Sequence, residues 1–324
     1  MLTAATAGIA ALAAGVATEQ ALMARERRRP DPAAEHDFGP PADARRHRVA
    51  TADGGLLHVL DHGCGRPLVL LHGVSLAGLA WHYQLAGLAD RHRVVVVDQR
   101  GHGRSQAGRD GYSLAVLADD LRTVLTELDL WDAVVVGHSL GGMVLMRYCA
   151  DHLDTTTGRV TALGFVSSAA YLGFSFPGYG PLLGLVTRVS ETGLGLSGRI
   201  PGGHLPPTDL SYLMARHGFG PRPSPTLVAL GRAMSAATPP AVVADLWGEI
   251  LRLDFREVLA SVQLPAAVIG GTHDRLTRWS RSEEIARALP QAELTCVRGA
   301  GHMVMLERPE EVNAALLALV ARSA

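Results

Sequence analysis

Seven short apolar runs recur along this chain, and several are continuous rather than alternating. They are LLHVLDHG (56–63), PLVLLHG (67–73), HRVVVVDQRG (92–101), DAVVVGHS (132–139), VTALGFVSS (160–168), PAAVIGGTHD (265–274) and AELTCVRGAGH (292–302). A strand with one wet face alternates apolar and polar residues. An unbroken run of Val, Leu and Ile suits a strand covered on both faces, as in a parallel sheet. Between the runs lie stretches with apolar residues at spacings of three and four, such as SLAVLADDLRTVLTELDL (113–130), the period of an amphipathic helix. Strands alternating with helices imply an α/β architecture, a mostly parallel sheet flanked by helices. With 324 residues, 48% of them hydrophobic, the chain can bury a core of that size.

One interval breaks the rhythm. Residues 171–255 are rich in Gly, Pro and Leu and contain helix-like pieces, TLVALGRAMSAA (226–237) and AVVADLWGEILRL (241–253). A connection of that length carries structure of its own or a function. It reads as a helical cap over one end of the sheet. The expected organisation is an apolar N-terminal segment (1–29), a linker or extended strap (30–45), a first core part (46–170), the cap (171–255) and a second core part (256–324).

The N-terminal stretch LTAATAGIAALAAGVA (2–17) is uncharged, and Arg25, Arg27, Arg28 and Arg29 follow it. A secretory signal places its positive charge before the apolar run, and a spanning helix needs roughly 20 apolar residues. Three readings stay open: a membrane anchor holding the domain on the cytoplasmic side, a helix packed on protein through its small residues, and a secretion signal. The expected location is therefore the cytoplasm or the cytoplasmic face of a membrane, with secretion as the alternative.

The net charge of −1 offers no basic face for nucleic acid. Cys64, Cys149 and Cys296 are odd in number and far apart, so they read as small buried hydrophobes rather than a disulfide or zinc set. The 14 histidines show no HxH or HExxH spacing, so no metal is expected. GLGLSG (193–198) fits GxGxxG but follows no apolar strand; it reads as a cap loop, and no cofactor is inferred.

The chemistry centres on VVVGHSLGGMVLM (134–146). Gly137-His138-Ser139-Leu140-Gly141 is G-x-S-x-G between a strand and a helix, a turn that exposes a serine hydroxyl and tolerates only small neighbours. A serine needs a base. His302, in the Gly-rich turn GAGHMVMLERPEEV, supplies one, and Asp274, at the end of PAAVIGGTHD, orients it. All three follow strands, where open α/β sheets build their sites. The N–H groups of Leu140 and of Val74, in HGVS (72–75), are the expected oxyanion donors. Asp98, Asp120, Asp245 and Asp254 are the other carboxylates weighed as orienter, Asp98 reading instead as a cap on backbone N–H groups. His72 and His102 read as braces for Gly-rich loops.

The set LLHG, DQRGHGRS (98–105), GHSLGG (137–142), GTHDRLT and GAGHMVMLERPEEV resembles the α/β-hydrolases of the lid-bearing serine esterase and lipase type, over about residues 46–322. The resemblance implies an eight-stranded sheet with a helical cap after the sixth strand. It does not account for the N-terminal segment. The expected activity is hydrolysis of a carboxylic ester carrying a small to medium apolar group through an acyl-enzyme. Its partner would be a small-molecule ester, and the oligomeric state stays open. His138, which in the simplest reading braces the elbow, is also carried with Phe174, Phe176, Tyr179 and Met303 as pocket wall. Alternatives on the same triad are a lactonase, thioesterase, carbon–carbon hydrolase or cofactor-free perhydrolase; a non-catalytic scaffold is the remaining one.

Overall fold

The computed structural model describes residues 24–25, 28–153, 158–172 and 209–323. The apolar stretch 2–17, the GLGLSG loop, Phe174, Phe176 and Tyr179 lie outside the described residues.

Eight strands form one sheet in the order β1-β2-β4-β3-β5-β6-β7-β8. They are β1 (Arg45–Ala50), β2 (Leu56–His62), β3 (Pro67–Leu71), β4 (Arg93–Val97), β5 (Ala133–His138), β6 (Val160–Val166), β7 (Ala266–Gly271) and β8 (Ala292–Val297). Only β2 runs against its neighbours; from β4 to β8 every pairing is parallel. The seven apolar runs all became strands. β5 is buried along its whole length, and its valines alternate between the two cores: Val135 on one face, Val134 and Val136 on the other. That two-sided burial is why the runs are unbroken.

The described helices are α1 (His82–Leu88), α2 (Leu114–Glu127), α3 (Leu140–His152), α4 (Asp209–His217), α5 (Pro225–Ala237), α6 (Pro240–Ile250), α7 (Arg256–Ser261), α8 (Trp279–Ala288), α9 (Val304–Glu307) and α10 (Pro309–Arg322). One core packs α2, α3 and α8 on the sheet, and the other packs α1, α9 and α10. Helices α4, α5 and α6 fall between β6 and β7, inside the interval where the rhythm of strands breaks.

β1 was not among the runs. Its sequence RRHRVA exposes four of six side chains, and Val49 alone is buried. It is an edge strand, held by the ladder to β2 and by Arg45 and His47, which both reach Asp61 of β2. Charged edges of this kind protect a sheet against further strand pairing.

The cysteines part from expectation. Cys149 is buried, and its thiol is pushed up to about 12 by loss of solvent, but Cys64 and Cys296 are exposed. Both exposed thiols sit where the chain meets water, Cys64 in the turn before β3 and Cys296 on the edge strand β8.

The stretch before β1 lies along the core as a strap. Asp31 accepts hydrogen bonds at the start of α5, from the Thr226 N–H (2.9 Å), the Thr226 hydroxyl (2.7 Å) and the Ser224 hydroxyl. Farther along, His36 and Phe38 pack edge-on against His82 and Tyr83 of α1, with His36 Nε2 2.7 Å from His82 Nε2.

Candidate active site

Strand order reverses at β3: the chain continues to β4 on one side and to β5 on the other. Such a switch point opens a crevice beyond the carboxyl ends of the strands. The loop after β3 and the turn after β5 both stand there.

The turn after β5 is tight. Ser139 has φ 50° and ψ −114°, a backbone state that costs a non-glycine residue on the order of 1–3 kcal/mol. Its surroundings hold it there. The Ser139 N–H donates to the Val166 carbonyl (3.0 Å), and the Ser168 hydroxyl donates to the Ser139 carbonyl (2.8 Å). A Cβ on Gly137 would lie 2.2 Å from the Gly141 carbonyl carbon, and one on Gly141 would lie 2.4 Å from the Leu71 carbonyl oxygen, so both flanking glycines are sterically required. Helix α3 begins at the next residue, with its N-terminus toward the serine.

Asp274 follows β7 and His302 follows β8. His302 Nδ1–H donates to Asp274 Oδ2 at 2.9 Å, with both side chains nearly excluded from solvent. The other carboxylate oxygen, Oδ1, accepts the N–H groups of Leu276 (2.8 Å) and Thr277 (2.9 Å). The Thr277 hydroxyl lies within hydrogen-bond distance of Asp274 Oδ2 (2.9 Å), the Ser167 carbonyl (2.8 Å) and His302 Nδ1 (3.2 Å). Thr277 escaped the sequence reading, because a threonine three residues after an aspartate reads as an ordinary turn residue.

Three of the four other candidate carboxylates are committed elsewhere. Asp98 accepts the N–H groups of Gly78 (2.7 Å) and Arg104 (3.0 Å), together with His58 Nδ1–H (3.0 Å), the capping role its turn suggests. Asp120 pairs with buried Arg100, and Asp254 pairs with Arg256 at the surface.

The loop after β3 is braced by two buried histidines. His72 Nδ1–H donates to the Gly73 carbonyl (2.8 Å) and Nε2 accepts the Gln99 N–H (2.9 Å). His102 Nδ1–H donates to the Arg100 carbonyl (3.0 Å), and Nε2 accepts the Ser75 N–H (3.2 Å). Burial lowers both imidazoles, His102 to about 3, so each is neutral and fixed in one tautomer. The N–H groups of Val74 and Leu140 have no acceptor among the described residues.

One cavity of about 190 Å³ gathers these parts. Ser139, His302, Thr277, Val74 and His138 line it from the core, and Ala215, Gly218, Phe219, Gly231, Trp247 and Ile250 line it from α4 to α6 and the turn after α4. Ser139 Oγ makes no hydrogen bond to a described atom, so the serine and imidazole share the cavity without being closed on each other, as is common before a substrate binds. Of the five residues expected as pocket wall, His138 and Met303 line the cavity. His138 does so without an accessible polar atom: Nε2 is bonded to the His302 carbonyl (3.0 Å), and Nδ1 is sealed from solvent. It therefore offers a ligand in the cavity no polar contact.

The arrangement has the parts for acyl transfer: a hydroxyl on a strained turn, an imidazole held by a carboxylate, free N–H groups beside them and an apolar hollow. Known proteins agree with this architecture. The alpha/beta hydrolase fold family model matches residues 66–309. The chain is 29% identical over 270 residues to the AB hydrolase superfamily protein YisY of Bacillus subtilis (strain 168), covering 82% of this chain and 96% of that protein. It is 28% identical over 282 residues to a non-heme haloperoxidase of Rhodococcus erythropolis, covering 84% and 98%. Among solved structures, a thermophilic esterase from Thermogutta terrifontis superposes with TM-score 0.72 at 26% identity, covering 86% of this chain and 99% of that one. The family match spans strands β3 to β8, the serine turn and both partner loops, and the chain belongs to the alpha/beta hydrolase fold family.

Proposed function

We propose that the protein hydrolyses a carboxylic ester with a small to medium apolar group, using Ser139, His302 and Asp274. The observation that carries this reading is the 2.9 Å bond from His302 Nδ1–H to Asp274 in the cavity that Ser139 also lines. His302 Nε2 takes the Ser139 proton as Oγ bonds to the carbonyl carbon. The N–H groups of Val74 and Leu140 receive the oxyanion, a contribution of about 3 kcal/mol each by precedent. His302 then hands its proton to the departing alkoxide, which leaves as the alcohol. Water adds to the acyl-enzyme in the reverse sense, releasing the acid and restoring the Ser139 hydroxyl. Asp274 keeps the imidazole in the tautomer whose Nε2 is free to accept.

The cavity walls support the apolar group. Met143, Leu172, Phe219, Trp247, Ile250 and Leu276 surround the serine, with few polar atoms to take a charged substrate. Labelling with a fluorophosphonate probe tests the nucleophile: wild type reacts, and Ser139→Ala and His302→Ala do not. A series of p-nitrophenyl esters tests the pocket: rates differ along the series, and equal rates on acetate and longer chains would remove the apolar-group reading.

A second reading is favoured by the likeness to a protein named a non-heme haloperoxidase. Hydrogen peroxide in place of water would attack the acyl-enzyme, giving a peracid and the free serine. Peracid formation from an acyl donor and peroxide, lost in Ser139→Ala, would establish it.

A further inference from the structure

We infer that His138 is a positioning residue for the base: its Nε2–H grips the main-chain carbonyl of His302 and so sets the imidazole against the nucleophile. The inference rests on the triad reading above.

His138 ends β5, one residue before Ser139, and His302 follows β8. Two strands, β6 and β7, stand between β5 and β8, so no ladder hydrogen bond relates the nucleophile to the base. The loop carrying His302 is glycine-rich, with Gly299 at φ 78°. Its other ties attach neighbours of the histidine: the Ala300 carbonyl to the His273 N–H, the Gly301 N–H to Glu307, and the Met303 N–H to the Gly218 carbonyl. At His302 itself, the 3.0 Å bond from His138 Nε2 is the main-chain hydrogen bond among the described residues, and it comes from the residue next to Ser139. The two imidazoles also pack with centroids 4.7 Å apart, and Trp81 closes the far side at 6.4 Å.

The chemistry of the ring says what histidine adds here. A carbonyl only accepts, so Nε2 carries the proton. Burial holds the ring neutral, so Nδ1 is a bare lone pair. That lone pair is buried and has no partner among the described residues. A buried unsatisfied acceptor costs on the order of 1–3 kcal/mol. An apolar ring of the same shape would remove that cost and leave the His302 carbonyl unpaired instead, so the two effects on stability offset. Histidine at 138 therefore brings little net gain in stability. What it provides over phenylalanine is the single bond to the peptide of the base. Its neutrality also matters, because His302 becomes cationic during acylation and a second charge at this distance would oppose it. The titratable groups facing His138 are His302 and His72, both histidines, with no acid among them.

The test compares His138→Phe and His138→Met, which fill the space without a donor, with His138→Gln, which restores an N–H near the Nε2 position. The donor-free variants should melt within a few degrees of wild type, since relief of the bare Nδ1 offsets the unpaired His302 carbonyl. Their kcat/KM and fluorophosphonate labelling rate should fall about 10- to 100-fold with KM nearly unchanged, and the acid limb of the pH profile should move by roughly half a unit. His138→Gln should recover to within a few-fold of wild type. Donor-free variants that label at the wild-type rate with an unmoved pH profile would overturn the inference, as would a Gln variant no better than Phe and Met. Wild type that fails to label would instead remove the triad reading, and this inference with it.

Discussion

Thr277 stands behind Asp274 as Asp274 stands behind His302: its N–H donates to Oδ1 at 2.9 Å and its hydroxyl lies 2.9 Å from Oδ2. The same hydroxyl reaches the Ser167 carbonyl at the end of β6, so it ties the loop after β7 to the neighbouring strand. Removing Oγ leaves the N–H groups on Oδ1 in place but takes away the contact beside His302 on Oδ2 and the tie to Ser167. Thr277→Val should lower kcat about tenfold, near 1.4 kcal/mol of barrier, with KM within twofold, while Thr277→Ser stays close to wild type. Steady-state kinetics on one ester decide it, and a Val variant at the wild-type rate beside an impaired Ser variant would show that the methyl group, not the hydroxyl, is what matters.

Asp274→Asn separates orientation from packing. The amide oxygen can still accept the Leu276 and Thr277 N–H groups that now reach Oδ1. The NH₂ group then faces His302 Nδ1 and favours the wrong tautomer. The expected loss in kcat is about 10³–10⁴-fold with little change in melting temperature. A loss below tenfold would mean that another group orients His302.

Buried neutral histidines make the fold sensitive to acid. His102 falls to about 3 in the folded protein from an ordinary 6.5 because burial disfavours its charged form, and His72 moves the same way. For a depressed base the stabilising contribution is present above the unfolded value, here 6.5, and is lost as pH falls toward the folded value near 3. Between pH 6.5 and pH 4 the protein should therefore lose on the order of a few kcal/mol through His102 alone. His102→Gln, which keeps an acceptor for the Ser75 N–H but cannot titrate, should show a shallower decline in urea midpoint over that window. Equal slopes in both proteins would rule out His102 as a source of the effect.

Much of this was legible in the sequence because burial on both faces leaves an unbroken valine run, and because a serine elbow needs glycine at fixed offsets. The strands from Leu56 onward and the serine turn follow from those two facts, and Asp274 meets His302 because each follows one of two neighbouring strands. β1 was hidden by its charges: Arg45, Arg46 and Arg48 are what a solvated edge requires and what a linker also contains. Thr277 and Asp31 were hidden for another reason. Their partners are set by tertiary packing, Ser167 lying 110 residues from Thr277 and Thr226 lying 195 from Asp31, and such pairings leave no period to read. The exposure of Cys64 and Cys296 follows from their places in a turn and on an edge strand, which composition does not encode.

Asp31 gives the strap a measurable task. It takes the Thr226 N–H, one of the free donors at the start of α5, while Ser224 caps the same turn by accepting the Leu227 N–H (3.2 Å). Burial alone would raise the Asp31 carboxyl, but its hydrogen bonds from Ser224 and Thr226 keep it below the ordinary carboxylate range, so it is ionised and suited to a helix N-terminus. Helix α5 contributes Gly231 and Ser235 to the cavity wall, so a residue outside the sheet secures one side of the pocket. Asp31→Ala should cost about 1–2 kcal/mol of stability, the range for losing a helix cap, and Asp31→Asn less. The loss should be local: hydrogen exchange should quicken over residues 224–237 and stay unchanged in β5 and β7. Turnover of long-chain esters should change more than turnover of acetate, since only the far wall moves. Uniformly faster exchange across the sheet would show instead that the strap supports the whole fold, and unchanged exchange in α5 would show that Asp31 carries no such load.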